Sequence, residues 1–280
     1  VRPFKKKSSV MRMTPADEAA AYDAAQCVVE THRRLAGWLH AGLTLEAVDA
    51  FVAQTLEALD CRSCFLGYQI PRHQPFPNHA CLSVNACVVH GTAEAHTAPL
   101  QAGDVLKIDI GVLHKGWIGD AAWTYVFGAM SPEVKRLTDC GKESIRKGLE
   151  QLRPGKRLIH WARAVQRYVE DQQGFYLVRG LGGHGYGRVL HAAPHIANNV
   201  PDRPGEWPEA QADIVPGMLL AVEPMIAAGT AQVMQRGRGW PVYSVDGSQT
   251  VHYEHDVLIT EEGHRLLTAG LEDVADVITR

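Results

Sequence analysis

"KIDIGVLHKGWIGDAAW", residues Lys107 to Trp123, decides how this chain is read. Two apolar stretches of strand character flank His114-Lys115-Gly116, a turn sequence. Each stretch carries an aspartate, Asp109 and Asp120, among apolar neighbours. A short hairpin loop sets the two acids opposite one another, or within one pair, on the same face. Unpaired carboxylates a few ångströms apart repel, and apolar surroundings raise the cost. Three arrangements relieve this. One acid reaches solvent at the turn, both pair with lysine or arginine, or a cation sits between them.

Other acids stand in similar surroundings. "LLAVEPMIA" sets Glu223 in an apolar strand directly before Pro224, and "TVHYEHDVLIT" sets Glu254 in another. "GGHGYGRVLHAAPH" holds His184 between glycines, followed by His191. The flanking glycines are read as allowing a turn that aims the imidazole inward. Each residue alone is weak, since a strand glutamate often faces water and a lone histidine is usually structural. Together they give four carboxylates and one or two imidazoles on apolar elements, an inventory that fits two divalent metal ions. Oxygen-rich ligation with a single nitrogen suits Co, Mn, Fe or Zn over copper. Paired cations of this kind commonly run hydrolysis. His90, in "NACVVHG", and His191 are candidates to donate to an oxyanion or a leaving amide. No G-x-S-x-G elbow offers a serine nucleophile.

Composition narrows the class. With 280 residues, 46% of them apolar, the chain suits one large domain or two small ones. A net charge of -3 gives no electrostatic case for DNA or an anionic membrane as partner. Lys5, Lys6 and Lys7 form the one basic run, read as a solvated tail, with an RNA or ribosome contact as the alternative. Six cysteines in a chain of this length are not a disulfide framework. Cys61 and Cys64 make a lone C-x-x-C, read as packing, with redox or metal use as the alternative. Reduced thiols and a cytoplasmic monomer are expected. No stretch has the apolar length to span a bilayer, and no signal-peptide pattern is seen.

The periodicity predicts a flexible tail over 1–13 and a single domain over 14–280. A helix starts at Thr14-Pro15 and ends at Gly42, and a second runs from Thr44 to about Leu59. Strands are expected at 81–85, 88–90, 104–112 and 117–127. Two more helices follow, at 131–152 and 159–173, then strands at 174–178, 218–226, 241–244, 250–260 and 265–267. Two helices thus precede an acid-bearing sheet segment in each half. The class is α+β with a mixed, mostly antiparallel sheet. No glycine-rich phosphate loop is present.

Asp109, Asp120, His184, Glu223 and Glu254, in this order and spacing, resemble the ligand set of the type I methionine aminopeptidases. The phrases "SVNACVVHG", "GDVLKIDIGVLHKGWIGDAAWTYVFG", "GHGYGRVLH", "PGMLLAVEPM" and "YEH" match as well, and the resemblance covers about Thr14 to Leu267. It implies the pita-bread fold, with pseudo-twofold halves flanked by helices. It also implies removal of the N-terminal methionine from nascent polypeptides, with preference for a small second residue. Carried over by motif, Asp109 and Asp120 would bind one metal, His184 and Glu223 the other, and Asp120 and Glu254 would bridge. Glu223 would help activate the attacking water, His191 would hydrogen-bond the substrate carbonyl, and His90 would contact the scissile amide. The methionine pocket would be lined by Phe65, Tyr68, Cys81, His90, Leu190, His191 and Trp240.

This chain departs from the family pattern in three places. Phe65 stands where a small cysteine is usual, Leu190 where an aromatic is common, and the loop from Gln69 to Asn78 is long. Proline-specific peptidases share the fold and metals, but their last ligand motif tends to read Arg-x-Glu, where this chain has His252-Tyr253-Glu254. The type II enzymes carry a helical insertion that the short Pro201–Pro208 loop does not supply. A non-hydrolytic relative would lack part of the five-residue set.

Overall fold

The computed structural model describes residues 13–280 apart from Arg72, Arg236 and Arg238. The first half opens with α1 (Pro15–Trp38) and α2 (Leu45–Ala58), followed by β1 (Arg62–Ser63), β2 (Cys81–Val84), β3 (Cys87–Val89), β4 (Val105–His114) and β5 (Trp117–Phe127). The second half opens likewise with two helices, α3 (Pro132–Leu149) and α4 (Leu158–Gln166). Its strands begin with β6 (Tyr176–Leu177), β7 (Gly182–Gly185), β8 (Ala192–Ala197), β9 (Leu219–Val222) and β10 (Met225–Ala227). They end with β11 (Val233–Gln235), β12 (Val242–Ser244), β13 (Thr250–His252), β14 (His255–Ile259), β15 (His264–Leu266) and β16 (Val277–Ile278).

The helix starts follow their caps. Thr14 Oγ1 accepts the Asp17 N–H at 3.2 Å while the Asp17 carboxylate accepts the Thr14 N–H at 3.0 Å, a reciprocal capping box. Thr44 and Ser131 cap α2 and α3 by the same side-chain acceptance. The expected fourth helix is α-helical only to Gln166 and continues as a wider π turn over Arg167–Gln172. Lys5–Lys7 and nearly all of the expected tail lie outside the described residues. Met13, its last residue, is half-buried against the apolar cluster that includes Ala21, Ala24 and Trp117.

The hairpin of β4 and β5 is the spine of the first half. Its two strands pair in register from Val105↔Val126 to His114↔Trp117, closed by Lys115 and Gly116. Both turn residues have positive φ, 49° and 79°, the geometry that matches the twist of the flanking strands. Ile108, Ile110, Val112, Ala121 and Tyr125 point into the main core shared with α1 and α2. Alternation sends Asp109 and Asp120 to the other face. Asp109 pairs with Ala122 and Asp120 with Gly111, so the acids are diagonal neighbours on that face rather than directly opposed.

β14 pairs with β9, and β9 with β7, which carries β8 on its far side. The expected single strands over 218–226 and 250–260 are each broken in two. β9 and β14 pair with one another, as do β10 and β13, but in a different sheet. The breaks fall at Glu223-Pro224 and Tyr253-Glu254. Pro224 has no N–H for a ladder, which stops β9 and lets the chain change sheets. The glycine-flanked His184 is also placed differently from expectation. It lies within β7, paired with His195 and Ala221, not in a turn. The glycines serve close backbone approach: a Cβ on Gly183 would sit 2.2 Å from the Ala221 carbonyl oxygen.

The halves meet along β5. The Glu254 N–H donates to Ala122 O at 2.9 Å. Thr124 Oγ1 donates to His252 O at 2.7 Å and accepts the His252 N–H at 3.1 Å. On the opposite face α1 buries His32 beneath the hairpin, its Nδ1 2.9 Å from the Tyr125 hydroxyl. Burial lowers the His32 pKa from 6.5 to about 4. The unfolded chain therefore binds more protons between these values, and folding stability falls as pH drops from 6.5 towards 4. Acid urea titrations of wild type and His32→Gln are expected to diverge over that window, with wild type losing up to about 3 kcal/mol more. Parallel curves would refute the assignment.

Candidate functional site

Asp109, Asp120, His184, Glu223 and Glu254 line one cavity of about 190 Å³. They arrive on three kinds of support. The aspartates ride on the hairpin, and His184 rides on β7 beside β9. Glu223 and Glu254 occupy the two strand breaks, which Met225↔His252 and His255↔Val222 hold side by side. Alternation points both glutamates to the His184 face, because His184 and Asp256 each pair with Ala221, two residues before Glu223, and Glu254 stands two residues before Asp256.

The donors converge closely. His184 Nε2 stands 3.7 Å from Asp120 Oδ2 and 3.8 Å from Glu223 Oε1. Ligand atoms of Asp120, His184 and Glu254 lie within 4.8 Å of one another, as do those of Glu223, His252 and Glu254. Asp109 Oδ1 and Asp120 Oδ1 are buried with no hydrogen-bond partner. Buried carboxylate oxygens without partners are costly, and so many in one space require a positive charge. Of the three arrangements open for the aspartates, solvent access fails, because Asp120 is 3% exposed and half-buried Asp109 keeps its unpaired Oδ1 out of water. Among the described residues no lysine or arginine lines the cavity.

Burial dominates the site's protonation. It raises Asp109 to about 7 and holds Asp120, Glu223 and Glu254 well above the usual carboxylate range, with mutual repulsion adding to the effect at Asp120 and Glu254. The same burial lowers His184 to about 3 and His90 and His252 to about 4, so these imidazoles are neutral near pH 7. Protonated acids and free imidazole lone pairs fit displacement of protons by a divalent cation.

The remaining residues singled out in the sequence meet at the same place. Phe65, Tyr68, Cys81, His90, Leu190, His191 and Trp240 all line the cavity. Cys81 sits directly across β4 from Asp109. His90 is held at φ 57°, an uncommon backbone state for a non-glycine residue. Tyr68 Oη and His191 Nδ1 are 2.7 Å apart, and the His184 and His191 rings are 4.5 Å apart between centroids.

Four residues lay beyond the sequence reading. Ile70 and Phe76, from the long loop, complete the apolar wall. Phe76 meets Trp240 edge-on at 5.3 Å, and Trp240 Nε1 donates to Gln74 O at 2.9 Å, so the loop is tied down over the cavity. His252 is buried with its Nε2 3.2 Å from Glu223 Oε2. Asp256 Oδ2 accepts the Asp120 N–H at 2.8 Å. His252 and Asp256 stand two residues either side of Glu254, a signal that strand alternation could have supplied.

Residues 19–261 match the model of metallopeptidase family M24. The chain belongs to this family. Among M24 relatives, methionine aminopeptidase 1 of Bacillus subtilis is 36% identical over 255 residues, 91% of this chain and 97% of the relative. The methionine aminopeptidase of Aquifex aeolicus is 34% identical over 88% of this chain and 93% of its own length. The crystal structure of the Thermotoga maritima methionine aminopeptidase superposes with a TM-score of 0.83 at 32% identity, covering 92% of this chain and 98% of that one. Prolidase from Pyrococcus furiosus shares the fold at 19% identity and a TM-score of 0.68. The M24 chain described here has the pita-bread fold expected from its sequence.

Asp256 holds the backbone of Asp120 from behind. Asp256→Ala leaves that buried N–H without an acceptor and is expected to cost about 1–3 kcal/mol. Asp256→Asn keeps a carbonyl acceptor and should cost less. Urea midpoints of the two variants check the order, and equal midpoints would refute the bond's role.

Proposed function

We propose that this chain is a dinuclear methionine aminopeptidase that removes the N-terminal methionine from nascent polypeptides, with a small second residue preferred. One observation carries the reading: five metal-ligating side chains and an apolar pocket share one cavity. Asp109 and Asp120 would hold one divalent ion, His184 and Glu223 the other, and Asp120 and Glu254 would bridge. Such ions supply Lewis-acid polarisation of the scissile carbonyl and a water of lowered pKa. The donor set is compatible with Co, Mn, Fe or Zn.

The chain's own residues do the rest. Glu223 accepts the proton of the attacking water and can pass it to the leaving amine. His191 presents its second nitrogen to the substrate. In the tautomer in which Nδ1 accepts from the Tyr68 hydroxyl, Nε2 carries the ring proton and stabilises the developing oxyanion. His90 contacts the scissile amide nitrogen. Phe65, Phe76, Ile70, Leu190 and Trp240 offer a flexible thioether an apolar wall. The volume is below the roughly 300 Å³ at which drug-sized pockets begin, in keeping with one side chain. The small second residue rests on the family likeness.

A cytoplasmic setting is supported by the six free cysteines. Among the described residues no helix is long and apolar enough to cross a membrane. A monomeric state completes the proposal, with Lys5–Lys7 read as a solvated tail and a ribosome contact as the alternative.

Two measurements test it. Purified chain with added manganese or cobalt is expected to release methionine from Met-Ala-Ser, and Asp120→Asn to abolish release with an unchanged circular dichroism spectrum. Full turnover by Asp120→Asn would refute the ligand assignment, and cleavage of Xaa-Pro dipeptides instead would replace methionine by proline specificity. Because burial holds the site's carboxyls above their usual range, metal binding near neutral pH should release protons. Calorimetry of manganese binding in buffers of different ionisation enthalpy detects them. Buffer-independent heats would refute the protonated resting site.

A further inference from the structure

Cys61 and Cys64, adjacent in a C-x-x-C, are parted by the structure. Cys64 packs in the cluster beneath the pocket, with Phe65 and Cys81. Cys61 instead meets α1 and the end of β4. Its Sγ stands 3.5 Å from His114 Nδ1. Cys27, from the middle of α1, joins them, and all three donor atoms lie within 4.8 Å of one another. Among the described residues this is the one such group that shares no member with the cavity. The proposed peptidase chemistry uses none of the three.

We propose that Cys27, Cys61 and His114 form a second metal site, separate from the carboxylate cavity, that takes a thiophilic cation of the zinc class. The spacing fits. Zinc–sulfur and zinc–nitrogen bonds of about 2.3 and 2.0–2.1 Å make the N–S edge of a tetrahedron about 3.6 Å long, against the observed 3.5 Å. The donor chemistry fits as well. Two sulfurs and one imidazole select zinc or monovalent copper over the harder ions suited to the carboxylates, and two thiolates neutralise a dication. Cys61 and His114 are buried while Cys27 is half-buried, so a fourth position opens towards solvent. A water can fill it, or Asp23, one turn before Cys27 on α1 and now 3.2 Å from Lys115 Nζ.

The protons balance. Entry of one dication releases the two thiol protons. His114 Nδ1 now lies 3.1 Å from the Asp60 carbonyl oxygen. To ligate it must present a lone pair, and moving its proton to Nε2 changes nothing in the count. The site would tie α1, the turn after α2 and the end of β4 together. β4 is the strand that carries Asp109, so the staple would brace one wall of the cavity.

Cobalt titration of the full chain tests this, because thiolate-to-cobalt charge transfer absorbs in the near ultraviolet and carboxylate ligation does not. The band is expected in wild type and in Asp120→Asn, Cys64→Ser and Cys81→Ser. It is expected to vanish on zinc addition and to be absent from Cys27→Ser and Cys61→Ser. No band, or one that survives Cys27→Ser, would overturn the proposal. Should either serine variant fail to fold, wild type alone decides by mass spectrometry: zinc must slow alkylation of Cys27 at least tenfold. Unchanged alkylation, or air oxidation to a Cys27–Cys61 disulfide with no zinc uptake after reduction, would overturn it. None of these readouts depends on peptidase activity.

Discussion

Mutual repulsion among buried carboxylates is the constraint around which this molecule is organised. Asp109, Asp120, Glu223 and Glu254 enclose one small volume, and Asp120 and Glu254 are almost wholly out of water. Burial, with mutual repulsion adding to it, holds Asp120 and Glu254 well above the usual carboxylate range. Such a cluster is tolerated only where the scaffold over-determines it. A continuous hairpin, a strand wedged between two others and two apposed strand breaks leave the acids little freedom to turn apart. Neutral imidazoles at His184, His90 and His252 complete a site with lone pairs in excess and, among the described residues, no fixed positive charge.

The strand breaks explain how two halves of similar layout yield one centre. In each half two helices back a sheet, but the second half interrupts its strands where the glutamates stand. Glu223-Pro224 and Tyr253-Glu254 lie side by side because the strands before and after them pair in two different sheets. Hydrogen bonds from Glu254 to Ala122 and between His252 and Thr124 then lock these breaks onto the hairpin. A shift in any one of these registers would move a carboxylate by a full residue repeat, about 3.3 Å, more than a metal–ligand bond tolerates.

The pocket is assembled from less regular parts. Phe65 lies over Gly111, and Phe76 stacks edge-on between Phe65 and Trp240. The long Gln69–Asn78 loop thus contributes Phe76 as the packing partner of both Phe65 and Trp240. Aromatic edges define a narrow apolar slot, while Tyr68 and His191 place polar atoms at its rim.

Local signals in the sequence, caps, alternation and a two-residue turn, carry the hairpin and the helix starts, and acids stranded among apolar neighbours single out Asp109, Asp120, Glu223 and Glu254. The ligand roles and the pocket residues are implied only by the family resemblance. Tertiary structure alone decided three things. His184 rides on a strand because neighbouring glycines admit a second backbone, although glycine by itself reads as a turn. The acid-bearing strands divide between sheets, which depends on partners distant in sequence. Cys61 parts from Cys64 and meets Cys27 and His114, residues brought together from α1 and β4. Each of these turns on contacts between segments far apart in the chain, whose geometry local propensity does not encode.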